Sequence, residues 1–393
     1  MSSLQQITAV TAMNLKTIPQ RWGSSGVIVI GIAGVVGVLV SVLAMSVGFK
    51  KTLASTGSPD RAIVLREGAN AELSSSVTRD TVLTLGELPG VAKNAAGQPL
   101  VSAEASVILN VPKHGVKANV SMRGLSLAGV ALRKEFKLTD GRLYTPGLRE
   151  VIVGAQAASE FDGLELGKSL HFREADWTVV GHFTTNGDVH ESELWADGET
   201  VLAAYRRNLY QSAIVQLVDE KAFEPFKKAV KADARVQVDV FQEPAYYAEQ
   251  SKALSTVINV MGTTVAAIMA VGALFGALNS LYAAVATRAK EIATLRAIGF
   301  GGISVVVSVV VEALLLAGLG GALGGGVAWL MFNGFSVSTL NFASFSQVAF
   351  KLTVSPALLM KGLFWSLAIG LVGALLPAIK AARMSVADAL RAS

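Results

Sequence analysis

Arg288-Ala-Lys-Glu-Ile-Ala-Thr-Leu-Arg-Ala-Ile-Gly299 is a charged island between two segments that are almost free of charge, Val257–Thr287 and Ile303–Phe332. An apolar run of about 20 residues is enough to cross the hydrocarbon core of a bilayer. The island therefore reads as a cytoplasmic connector between two spans. Inside it Ile292, Leu295 and Ile298 recur at helical spacing, and Arg288 and Glu291 stand three apart as an ion pair would. Gly299, Gly301 and Gly302 then end the helix. A short amphipathic helix at the membrane face can lie in the interface or dock into a partner's groove. The plainer alternative is a cluster of stop-transfer charges.

Composition agrees with a membrane chain. Of 393 residues, 52% are hydrophobic and 16% charged, against about a quarter charged in a soluble protein. The absence of cysteine excludes disulfides, thiolate metal sites and a cysteine nucleophile. The net charge of +5 sits on basic residues beside hydrophobic runs, which points to topology control and away from nucleic-acid binding.

The expected fold is a membrane α-helical protein with four transmembrane helices and a large α+β extracytoplasmic domain between the first two. Residues 1–25 form a cytoplasmic N-terminal segment, followed by a first span at 26–48. The uncharged run Trp22–Phe49 outlasts the h-region of a cleaved signal peptide, about 7–15 residues. Residues 49–253 form the α+β domain, with strands at Ala62–Leu65, Ser106–Val111, Val151–Val153, Trp177–Val180, Ser212–Val218 and Arg235–Phe241. Ala155–Phe161 and Lys221–Ala232 read as its helices. The second span with a stalk covers 254–287, and Tyr246 and Tyr247 suit either the interface or that stalk. The connector is 288–302, the third span 303–332, a short polar-aromatic loop 333–356, the fourth span 357–377 ending at Pro377, and the tail 378–393.

Lys16, Arg21, Arg288, Lys290, Arg296, Lys380, Arg383 and Arg391 flank one side of these spans, while only Lys351 and Lys361 flank the other. The positive-inside rule then puts both termini and the island in the cytoplasm and the large domain outside.

Glu312 is the one acid inside an expected span. An ionisable residue there is costly and a functional candidate. Its plain reading is a carboxyl packed between helices and bonded to a neighbour such as Asn279 or Ser280; a proton or ion relay is the alternative. Gly320, Gly321, Gly324 and Gly325 lie in an apolar span with no following Lys, so they suit close helix packing, within a bundle or across a dimer, rather than a phosphate cradle. His182, Asp188, His190, Glu191 and Glu193 cluster without zinc-motif spacing and read as a polar loop, so no metal or catalytic residue is assigned. No Gly-x4-Gly-Lys-Ser/Thr phosphate loop occurs.

The island, Arg288-x-Lys-Glu-Ile-x-x-Leu-Arg-Ala-Ile-Gly299, resembles the signature of the FtsX-like permease domain of ABC transporters, whose members include the MacB macrolide-exporter and lipoprotein-release families. Glu312 with Gly320-Gly-Ala-Leu-Gly324 resembles that domain's third span. Pro377-Ala-x-x-Ala-Ala-Arg383 through Asp388-Ala-Leu-Arg391 resembles its cytoplasmic end. Asp140-Gly-Arg-Leu-Tyr144, Val151-Ile-Val-Gly154-x-x-Ala157, Gly167-Lys-Ser-Leu170 and Trp177-Thr-Val-Val-Gly181 resemble the MacB-type periplasmic core domain. Asn14-Leu-Lys-x-x-Pro-x-Arg21 fits too.

The resemblance implies a type VII ABC permease subunit of a bacterial inner membrane, multi-pass, with its large domain in the periplasm. The connector would be a coupling helix on a separate ATPase dimer, with Arg288, Lys290, Glu291, Leu295, Arg296 and Gly299 at that contact. The subunit itself would be non-catalytic and carry no cofactor, ATP and Mg being bound by the ATPase. It would pair as a homodimer or with a second permease, contact membrane lipids, and act on a periplasmic adaptor or substrate protein. Export or extraction of a periplasmic or outer-leaflet substrate is the expected work; lipoprotein release or activation of a periplasmic partner is the variant. From other classes, a membrane sensor or scaffold would need a cytoplasmic signalling domain, and a proton-coupled transporter would need Glu312 for transport.

Overall fold

Residues 3–383 are described by a computed structural model. In chain order, α1 (Ser3–Lys16) leads through a single 3-10 turn (Ile18–Arg21) into α2 (Trp22–Ala54). An α/β segment follows: β1 (Arg61–Arg66), α3 (Arg79–Glu87), β2 (Val101–Lys113), β3 (Val116–Leu125), α4 (Leu127–Ala131), β4 (Lys137–Gly141), β5 (Glu150–Gly154), α5 (Ala155–Glu160), β6 (Ser169–Phe172), β7 (Ala175–Thr184), β8 (Glu193–Asp197), α6 (Gly198–Ala204), β9 (Ser212–Gln216), α7 (Phe223–Ala232) and β10 (Val238–Gln242). Then come α8 (Glu243–Thr287), α9 (Ala289–Ala297), α10 (Gly302–Phe332), the hairpin β11 (Ser336–Asn341) and β12 (Ser346–Lys351), and α11 (Pro356–Arg383). Among the described residues, α2, α8, α10 and α11 are long and apolar enough to cross a membrane.

These elements form two units. The helical one comprises the chain up to Val47, Val257–Phe335 and the chain from Leu352; the other comprises Gly48–Thr256 and Ser336–Lys351.

Small residues set the packing of the helical unit. A Cβ added at Gly320 would lie 2.8 Å from the Val29 carbonyl oxygen, and one at Gly324 2.9 Å from the Ala33 Cα, so both face α2. Gly321 and Gly325 face α11, where a Cβ would come within 2.8 Å of the Ser366 Cβ and 3.1 Å of a Leu359 methyl. The two glycine pairs thus open two flanks of α10 to two neighbours within the chain. Helix α11 does not stop at Pro377 but continues to Arg383. Loss of one backbone donor is tolerated in a membrane helix whose neighbours pack around the break, and Pro377 is buried among such neighbours. The tail residues Asp388 and Arg391 lie outside the described residues. The N-terminal segment is helical: Asn14 is buried and donates to the Ser308 carbonyl (3.3 Å) and hydroxyl (3.0 Å) of α10.

The second unit is built on a ten-stranded mixed sheet in the order β10-β1-β9-β2-β3-β8-β5-β7-β4, with β6 on β7. Most neighbours are antiparallel; β3–β8 and β5–β7 are parallel. Ala62–Leu65 of β1 is a continuous apolar run because the strand is interior, paired on both edges and covered on both faces. Helix α7 lays Phe223, Phe226 and Val230 over β1, β9 and β10. Tyr246 and Tyr247, expected at an interface or in a stalk, are both buried within this unit. Asn333–Ser355, expected as a loop, contains the hairpin β11–β12. That hairpin joins the α/β unit, where the Ala349 amide donates to the Ser192 hydroxyl at 2.9 Å and Phe350 meets Phe49 edge-on at 5.4 Å.

The interior of this unit also holds ions. Arg123, fully buried, donates to both Glu193 oxygens at 2.8 Å, to Glu104 at 2.8 Å and to Glu72 at 2.7 Å. Arg133 grips Glu104 from the other side at 2.8 and 2.9 Å. Burial alone would raise the Glu104 pKa, but the Arg133 and Arg123 guanidiniums outweigh it and hold the group at about 2, below its ordinary 4.5. Such a group contributes stability above its unfolded pKa and loses it as pH falls toward the folded value. Urea unfolding of the full chain, followed by Trp177 and Trp195 fluorescence, should therefore show stability falling from about pH 4.5 toward 2. Arg123→Met, which strands buried glutamates, should cost about 3–5 kcal/mol at neutral pH; an unchanged midpoint would contradict the pairing.

Candidate functional site

Helix α9 is the expected connector helix, and its ends are well defined. Gly299 takes φ +99°. Its amide donates to the Arg296 carbonyl at 3.1 Å, and the Phe300 amide donates to that of Leu295 at 3.0 Å. This is a Schellman termination, which calls for a left-handed residue at the Gly299 position. The helix packs inward through Ile292 and Ala293, with Ile292 against Val285 of α8, Val305 and Val309 of α10, and Ala378 and Ala381 of α11.

Its outward stripe is Lys290, Glu291, Thr294, Ala297 and Ile298. The expected Ile292-Leu295-Ile298 face is therefore divided. Ile292 is 8% exposed, Leu295 half-buried and Ile298 69% exposed, because the helix ends at Ala297 and Ile298 turns outward with the cap. Of the residues assigned to the contact, Lys290, Glu291 and Gly299 are exposed, while Leu295 and Arg296 are half-buried. Thr294, which spacing did not single out, and Ile298, which spacing placed on the face of Ile292, complete the outward face.

Arg288 caps the start of α9 and points elsewhere. Its Nε lies 3.6 Å from Glu291, the expected pair, but its Nη1 lies 3.8 Å from Glu312 of α10 and its Nη2 donates to the Thr17 hydroxyl. Arg21, from the 3-10 turn before α2, donates to the other Glu312 oxygen at 3.2 Å and to Thr17 at 3.1 Å. Glu312 is 3% exposed and held by these two guanidiniums. Asn279 and Ser280, the neighbours expected from sequence, are not its partners. Three segments distant in sequence thus converge on one buried carboxylate: the N-terminal segment, the connector and α10.

The stretch from His182 to Glu193, expected as a polar loop, is largely interior. His190 Nδ1 is 3.2 Å from Glu193, Asp188 accepts from the His190 amide at 2.9 Å, and Glu191 accepts from the Thr185 and Gly187 amides at 2.9 and 2.7 Å. Among the described residues, no group of three or more His, Cys, Asp or Glu is arranged to hold a metal ion.

Residues 25–233 match the MacB-like periplasmic core domain family, and residues 263–386 match the FtsX-like permease C-terminal family. The macrolide export ATP-binding/permease protein MacB of Neisseria gonorrhoeae is 23% identical over 98% of this chain. The chain spans 60% of that relative's length. The uncharacterised ABC transporter permease YvrN of Bacillus subtilis is 24% identical over 65% of this chain and 66% of its own. Among solved structures, the periplasmic region of MacB from Actinobacillus actinomycetemcomitans is 14% identical, with a TM-score of 0.37, covering 47% of this chain and 90% of that one. The extracellular domain of the noncanonic ABC-type transporter YknZ from Gram-positive bacteria is 17% identical, with a TM-score of 0.36, covering 46% and 99%. The chain belongs to the MacB-like family of FtsX-type ABC transporter permeases.

Proposed function

We propose that this permease transmits force from an ATPase to its periplasmic α/β domain. The observation that carries the reading is the division of α9 into two faces. One is fastened by Ile292 and Arg288; the other leaves Lys290, Glu291, Thr294 and Ile298 uncovered. A short, capped helix held rigidly on one side and bare on the other suits docking into a groove.

In this reading ATP and Mg are bound by the ATPase dimer, and its closure displaces α9. The Glu312 cluster carries that displacement to α10, and the helices shift as a nearly rigid body. Two arginines from separate segments meeting on Glu312 support a transmission role over a proton relay, since they tie the connector and the N-terminal segment to α10. The permease would act as a symmetric pair. Its work would be export or extraction of a periplasmic or outer-leaflet substrate, with lipoprotein release as the variant.

Ile298→Asp alters the outward face without touching the buried one, and Glu291→Arg alters it while also placing a like charge beside Arg288. Each should weaken co-purification of the ATPase by roughly ten-fold or more and uncouple its activity from the permease. Leu295→Asp should do the same with added loss of stability, being half-buried. Unchanged assembly and unchanged coupling in the outward-face variants would remove the docking reading. Orientation has its own test, because the chain has no cysteine. In intact cells a membrane-impermeant maleimide should label Lys117→Cys in the α/β domain, and should reach Lys290→Cys only after the inner membrane is opened. The reverse pattern would invert the topology.

A further inference from the structure

The first and last strands of the α/β unit, β1 and β10, are neighbours in its sheet. Strand β1 follows α2, and β10 leads directly into α8. The two strands pair antiparallel, with Ala62 opposite Gln242. One step further in the same register stands Arg61 opposite Glu243, the first residue of α8. The ladder has ended there and a buried ion pair continues it. Arg61 Nε donates to Glu243 Oε2 at 2.5 Å, and the two side chains are 1% and 0% exposed.

We propose that the Arg61–Glu243 pair is a clamp that fastens the end of α2 to the start of α8, so that the two helix ends move as one and displace β1 with them. Both ends, and every residue of the clamp, belong to the α/β unit. Arg61 and Glu243 are then positioning residues on the output side of the transmission. Their functional role rests on that reading; the fastening itself does not.

The segment between α2 and β1 is closed onto the same carboxylate. The Ser58 amide donates to Glu243 Oε2 at 3.1 Å. Gly57 takes φ +86°, and a Cβ there would lie 2.5 Å from the Glu243 Cγ, so only a glycine lets the backbone approach this side chain. Thr56, fully buried, donates to the Thr52 carbonyl of α2 at 2.9 Å and accepts from the Val189 amide at 3.1 Å. Thr-Gly-Ser is the composition of a turn, yet each of the three is tied to a neighbour. On the other side Arg61 holds Glu135 through both terminal nitrogens and donates to the Leu132 carbonyl at 3.0 Å. The clamp is thereby anchored in the segment that follows α4. An apolar contact would let the two helix ends slide. A guanidinium–carboxylate pair fixes their geometry, and parting it inside the unit would strand a buried charge.

The chain has no cysteine, so spin labels can be placed at will. Lys51→Cys in the last turn of α2 and Ala253→Cys in α8 are both exposed positions within the α/β unit. Double electron–electron resonance on the full chain in detergent, with no ATPase, should give one narrow distance between them. Glu243→Ala should lose that single peak. Glu243→Asp, which keeps the charge but is one methylene short, should lose it too and serves if the alanine variant fails to fold. Glu135→Ala removes the other partner of Arg61 and lowers stability without touching the α2–α8 contact, so it should keep the peak. A peak kept by both Glu243 variants, or lost equally in Glu135→Ala, would overturn the clamp. A second label pair, Lys117→Cys and Lys361→Cys, reads the assembled complex on addition of ATP. There Glu243→Ala should keep the ATPase bound but lose the ATP-dependent change in distance, and a change of parental size would overturn the positioning role. Absence of any such change in the parent chain would contradict the transmission reading, while the first label pair still decides the clamp.

Discussion

A carboxylate in a membrane-length helix must be paired, protonated or excluded, because hydrocarbon solvates no charge. Glu312 is paired, and its two arginines come from the connector and from the turn that precedes α2. That requirement organises one end of the helical unit. It fixes where Arg288 places the first residue of α9. It draws the 3-10 turn against α10 through Arg21, and Asn14 secures α1 to the same helix through Ser308. The connector is thus fastened through Ile292 and Ala293 and by one ion-pair cluster, and Lys290, Glu291, Thr294 and Ile298 stay exposed.

Much of this was legible in the residues. The uncharged runs gave the long helices, and the glycine after Ile298 marked where α9 ends, because only glycine adopts a left-handed cap without strain. The continuous apolar run of β1 and the amphipathic spacing of α7 were equally plain. What was hidden depended on partners distant in the chain. Nothing in the spacing around Glu312 could point to Arg21, 291 residues earlier. Ile298 kept the helical period but lay past the last helical residue, so the period assigned it to the wrong face.

The α/β unit shows the same limit from its interior. Strand β8 begins and ends on acids, β3 alternates Lys117, Asn119, Ser121 and Arg123, and neither was assigned as a strand from sequence. Both are strands because Arg123 and Glu193 satisfy each other inside the sheet. The hairpin was missed for a related reason: its Ala349 amide, Ser338 hydroxyl and Phe345 carbonyl are matched by Ser192, Glu160 and Asn119, which no local pattern announces. Small residues and apolar runs carry the helical unit; the sheet unit adds a buried ionic network.

The central claim is that the connector acts on α10 through the Arg288–Glu312 contact. A double-mutant cycle tests it, using Arg288→Gln, Glu312→Gln and the combination in the assembled complex, read as stimulation of ATP hydrolysis by the permease. Contacting residues in one charge network should show an interaction energy of about 0.5–3 kcal/mol, the double variant losing less than the two single losses combined. Strict additivity, or full coupling in both single variants, would contradict the account.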